Sequence, residues 1–111
     1  MSRISAILAV ACACIAAGAV AARADDAPVL TIKQHQFEPA ELAVPAGQEV
    51  RLVVRNLDAT PEEFESEDLN REKVIPGGGE ATILIGPLDA GTYTFVGEFH
   101  EATAKGRIVE K

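Results

Sequence analysis

The chain has 111 residues, with 17 acidic and 10 basic side chains and a formal charge of −7. That length allows one domain with a modest core. Its acidic balance repels nucleic acid and anionic lipid and attracts cations or basic partners.

Residues 1–24 read as a secretory signal peptide. Met1-Ser2-Arg3 is a short positive head, Ile4 to Ala22 is almost wholly apolar, and Ala22-Arg23-Ala24 offers small residues at a cleavage site. Cleavage after Ala24 leaves a single domain over residues 25–111 and removes Arg3 and Arg23, so 17 acids face 8 bases and the charge becomes −9. Cys12, Cys14 and Met1 leave as well. The mature chain then has neither thiol nor thioether, which excludes a disulfide framework, a cysteine zinc site and a thiol nucleophile. A retained membrane anchor competes with this reading, because the apolar run is nearly long enough to span a bilayer. A lipoprotein signal ending at Cys12 competes less well, since Ala9 stands where such signals carry Leu. The expected address is the bacterial periplasm.

From Pro28 onward, short extended segments alternate with turn residues. Val29, Thr31 and Lys33 alternate with Leu30 and Ile32, as in a strand with one buried face. Gln36-Phe37-Glu38-Pro39 reads as a turn, and Glu41 to Val44 as a second strand stopped by Pro45-Ala46-Gly47. Val50, Leu52 and Val54 form an apolar row with Arg51 and Arg55 opposite, the strongest strand signal in the chain. A polar stretch from Asp58 to Lys73 follows, within which Glu67 to Lys73 is the only helix candidate and is too short to matter. Pro76-Gly77-Gly78-Gly79 is a flexible turn. Thr82 to Ile85, Gly91 to Phe95 and Lys105 to Val109 complete the strands. About seven such strands indicate an all-β antiparallel sandwich or barrel.

Three segments carry groups able to do chemistry. Along an extended Glu62-Glu63-Phe64-Glu65-Ser66-Glu67, the carboxylates of Glu63, Glu65 and Glu67 point to one face and Phe64 to the other. Carboxylates so placed repel one another unless a cation or arginine sits among them, although a solvated acidic rim is the simpler reading. Glu98, His100 and Glu101 crowd together after an expected core strand, where loops carry function. Imidazole with carboxylate suits iron, copper(II), zinc or manganese alike. His35, between Gln34 and Gln36, is read as an exposed residue in preference to a further ligand. Ser66 lacks a nucleophile context, and Gly77-Gly78-Gly79 lacks the lysine of a phosphate loop.

In order and spacing, Phe37-x-Pro39, Val44-Pro45-Ala46-Gly47, Asn56-x-Asp58, Gly91-Thr92-Tyr93-Thr94-Phe95 and Lys105-Gly106-x-Ile108-Val109 resemble the cupredoxins over nearly the whole mature chain. The resemblance implies a Greek-key β-sandwich. It also implies ligand positions that this chain does not fill. Glu62 stands where the first histidine is expected, Gly97 near the cysteine, His100 at the second histidine, and Ala104 or Lys105 near the axial methionine. Without a thiolate, a blue-copper electron-transfer site cannot form.

Glu63-Phe64-Glu65, Arg71-Glu72-x-x-x-Pro76-Gly77 and the loop from Gly97 to Gly106 are similar to the EfeO-type cupredoxin-like domains of bacterial iron-uptake systems. That narrower resemblance implies a periplasmic accessory protein that binds an iron or copper ion and works with an iron permease or another uptake component. It implies no nucleic acid partner and contact with the membrane only through that partner. The implied metal ligands are Glu63, Glu65, Glu98 and His100, with Glu62, Glu72 and Glu101 in reserve. A ferroxidase-like redox component and a non-metal interaction module are the alternatives.

Overall fold

The computed structural model describes residues 27–111; the expected signal peptide at 1–24 lies outside the described residues. Among the described residues, nine strands form two sheets. In chain order they are β1 (Val29–Lys33), β2 (Gln36–Glu38), β3 (Glu41–Val44), β4 (Val50–Asn56), β5 (Glu62–Ser66), β6 (Arg71–Ile75), β7 (Glu80–Ile85), β8 (Gly91–Gly97) and β9 (Lys105–Glu110). A single 3₁₀ turn, Glu98–His100, is the only helical element among the described residues. One sheet runs β2-β1-β4-β7 and the other β3-β9-β8-β5-β6.

The architecture is the expected β-sandwich, and it differs from the sequence reading in strand number, in strand direction and at two segments. The strands number nine, not seven, and the sheets are mixed, since β1 runs parallel to β4 and β3 parallel to β9. Gln36–Glu38 is a strand, not a turn, because Phe37 is inserted into the core between two exposed neighbours. The turn lies just before it, at Gln34 and His35, with φ of 52° and 57°. This two-residue connection with both central residues left-handed matches the twist of a hairpin, and without Gly or Asn it leaves little trace in sequence. Residues 67–70 form a turn between β5 and β6, and Arg71–Ile75 is strand where the short helix candidate fell.

Side-chain alternation explains how the sheets face. On β4, Val50, Leu52 and Val54 are buried while Arg51 and Arg55 are exposed. On β5, Glu62, Phe64 and Ser66 face inward and Glu63 and Glu65 face the other way. Phe37, Phe64 and Phe95 meet in the core, with the Phe37 and Phe95 rings edge to face at 4.9 Å and Phe64 stacked on Phe95 at 5.0 Å. Each buried ring contributes roughly 1.5–3 kcal/mol by leaving water. Gly106 allows this packing, since a Cβ there would come within 2.5 Å of the Phe95 ring.

Candidate metal centre

Inward alternation on β5 carries one carboxylate, Glu62, into the end of the sandwich, where it is 1% exposed. A carboxylate so deeply placed must find donors. Glu62 Oε1 accepts the backbone N–H of Glu63 at 3.0 Å and of Phe99 at 2.9 Å. Its Oε2 lies 2.5 Å from His100 Nδ1 on the 3₁₀ turn. Gly97 makes this approach feasible, because a Cβ there would stand 2.7 Å from both the Glu62 carboxyl carbon and the Ala104 methyl. Gly97 N also donates to Ala104 O at 2.8 Å. The four positions at which the resemblance expects copper ligands therefore converge as Glu62, Gly97, His100 and Ala104. Gly97 and Ala104 bring no donor side chain, so a thiolate–copper site does not fit these residues.

His35 reaches the same place from the β1–β2 turn. Its ring stacks on that of His100, with centroids 3.6 Å apart and planes 16° from parallel. His35, read from sequence as an exposed residue, is intermediate in exposure and stacks on another histidine. One ligand atom from each of His35, Glu62 and His100 lies within 4.8 Å of the others. The signal that could have found His35 is its position at the end of a strongly alternating strand, directly before the buried Phe37.

The turn is held from two sides. Asp58 accepts the backbone N–H of Gln34 at 2.8 Å and of His35 at 2.9 Å. These bonds, that from His35 first, hold the Asp58 carboxyl below its ordinary 3.8. Asp58 is itself fixed by donating its N–H to Asn56 Oδ1 at 3.0 Å, while buried Asn56 donates to Thr60 O and Ile75 O. On the other side, Thr103 Oγ1 donates to His35 O at 2.6 Å.

The opposite face of β5 gathers the remaining acids. Glu65 stands directly across from Glu72 in the β5–β6 ladder, and the 3₁₀ turn adds Glu98. One carboxylate oxygen from each of Glu63, Glu72 and Glu98 lies within 4.8 Å of the others. A hydrogen bond to Glu98, then desolvation and the charges of Glu98 and Glu72, push Glu63 up to about 7. The same causes, with Glu101 also contributing, push Glu65 up to about 7. Glu98 is lowered because Glu63 and Glu65 donate to it. Crowded carboxylates favour proton retention on some members of the group. The expected ligands thus fall into two groups: Glu63, Glu65, Glu72 and Glu98 outside the sheet, and Glu62 with His100 within. Glu101 is exposed and joins neither ligand group among the described residues.

Comparison with known proteins agrees with the fold. Two amicyanin structures, one of a reduced variant and one of a Cu(I) variant, match at TM-scores of 0.64 and 0.63 with 24% identity, covering 80% of this chain and 86% of theirs. Auracyanin A, a blue copper protein of Chloroflexus aurantiacus, matches at a TM-score of 0.64 with 18% identity, covering 75% of this chain and 96% of its own. An uncharacterized protein of Rickettsia prowazekii, RP394, is 44% identical over 80 residues, which is 72% of this chain. The matched segment spans 64% of that relative's length. The family model for the cupredoxin-like domain matches residues 5–109. The chain belongs to the cupredoxin-like domain family.

Proposed function

We propose that this chain is a periplasmic metal-binding accessory protein of high-affinity iron uptake, which holds iron, with or without copper, and passes it to a membrane permease. The observation carrying this reading is the convergence of Glu63, Glu65, Glu72 and Glu98 on the outer face of β5 and β6. Four carboxylates gathered on one face offer an all-oxygen donor set that suits a hard, oxygen-seeking ion. The adjacent Glu62–His100 pair supports a metal-handling end of the molecule, because it occupies the ligand positions of a fold whose amicyanin and auracyanin relatives carry copper. The resemblance to EfeO-type domains supports the pathway.

The test is uptake of radioactive iron by iron-starved cells lacking this protein, complemented with the wild type or with the double variant Glu63→Gln/Glu65→Gln. The wild type restores uptake and the double variant, exported at equal level, does not. Equal restoration by both would refute the reading.

A further inference from the structure

We infer that His35, Glu62 and His100 form a thiolate-free copper(II) site, with His35 supplied as a ligand by the β1–β2 turn. The inference extends the metal-handling reading above to a second, chemically distinct site and does not depend on the iron pathway.

The geometry favours a built site over a chance cluster. Gln34 and His35 both adopt left-handed backbone conformations, which cost non-glycine residues roughly 1–2 kcal/mol each. Asp58 from the β4–β5 loop and Thr103 from the loop before β9 hold that conformation through three hydrogen bonds. The turn places His35 over His100 and beside Glu62, with its Nδ1 3.4 Å from Asp58 Oδ2. Glu62 is fixed independently by two backbone N–H groups. Three donors are therefore set by three separate segments, which is how a metal site is preorganised. Both imidazoles retain exposure, 43% for the His35 side chain and 29% for His100, so an ion can enter from solvent.

Two imidazoles and one carboxylate accept several first-row ions, and the order of affinities decides among them. Among divalent first-row ions such a set binds copper(II) most strongly, whereas the all-oxygen group on the outer face suits harder ions. Metal bonds of about 2.0–2.2 Å require these donors to draw together and the two stacked rings to turn out of parallel. Each imidazole would give a ring-nitrogen lone pair, and Glu62 an oxygen lone pair, to the metal. Copper remains copper(II), and no electron moves.

The test is copper(II) titration followed by electron paramagnetic resonance and pulsed nitrogen spectroscopy, using purified protein with any retained Cys12 and Cys14 thiols alkylated. The variants are His35→Asn, His100→Ala and Glu63→Gln/Glu65→Gln. Asn tolerates the left-handed backbone at position 35, so that variant keeps the turn while removing the ring, and a thermal melt checks that it is folded. The wild type is expected to bind one copper(II) with two coupled imidazoles. His35→Asn should retain one imidazole and bind at least tenfold more weakly. Glu63→Gln/Glu65→Gln should keep the two-imidazole signal. A folded His35→Asn with unchanged affinity and two imidazoles would overturn the inference. So would a wild type that binds iron but no nitrogen-ligated copper, which leaves the iron reading standing. A wild type that binds neither metal refutes both.

Discussion

Glu62 packs against the bare Cα of Gly97: a methyl group there would stand 2.7 Å from the Glu62 carboxyl carbon. The position at which a cupredoxin is expected to present its cysteine is the one at which this chain cannot accommodate any side chain while Glu62 stays in place. Losing the thiolate and gaining the buried carboxylate are two sides of one steric exchange.

Gly97→Ala should therefore destabilise the domain by about 1–3 kcal/mol, the usual range for overpacking a closed site. It should also disturb the Glu62–His100 contact. Urea denaturation measures the first effect and the nitrogen resonances of His100 the second. Glu62→Ala/Gly97→Ala should recover part of the lost stability, because the second change removes the colliding group.

Asp58 ties the β4–β5 loop to the β1–β2 turn. Asp58→Ala should cost about 1–3 kcal/mol through the loss of two hydrogen bonds to its carboxylate. It should also release His35 from His100. The Asp58 carboxyl is depressed in the folded protein, so its contribution is present above the ordinary value of 3.8 and is lost as pH falls through the folded value. The stability gap between wild type and variant, read by denaturation at a series of pH values, should be full at pH 6 and shrink in strong acid.

The carboxylates on the outer face behave in the opposite sense. Glu63 and Glu65 are raised from 4.5 to about 7, so the stability linked to them is present below 4.5 and is lost as pH rises through about 7. Glu63→Gln/Glu65→Gln should accordingly gain on the metal-free wild type as pH goes from 5 to 8. A bound cation should close that difference. Thermal melts with and without metal across this range measure both effects.

Glu110 at the far end of β9 is 2% exposed, and neither carboxylate oxygen has a hydrogen-bond partner among the described residues. Desolvation raises it above 4.5. Its folded value being raised, the stability linked to Glu110 is present below 4.5 and lost as pH climbs through the folded value. Glu110→Leu should stabilise the domain at neutral pH by roughly 1–3 kcal/mol, the scale of an unsatisfied buried polar group. The gain should contract in acid, where the wild-type carboxyl is neutral.

Much of the sandwich can be read from alternation: β1 and β4 announce which side chains enter the core, and both do so in the structure. The acid-rich strands β5 and β6 are harder, because charged residues on one face of a half-buried strand lower its apparent strand character. Period-2 spacing nevertheless places Glu63 and Glu65 on one face, as observed. What the sequence hides is long-range. His35 and His100 meet only because β1 and β2 fold back beside the end of β8, and no local pattern links two residues so far apart. The parallel pairing of β1 with β4 and of β3 with β9 is invisible for the same reason: it depends on which strands share a sheet.

The most direct test of the central claim, that a carboxylate-lined end of this cupredoxin-like domain holds metal without a thiolate, is anaerobic calorimetric titration of Fe²⁺ into the wild type and Glu63→Gln/Glu65→Gln. Saturable binding by the wild type, weakened at least tenfold in the double variant, is the predicted result. Equal affinity in the two proteins, or no binding by either, would contradict it.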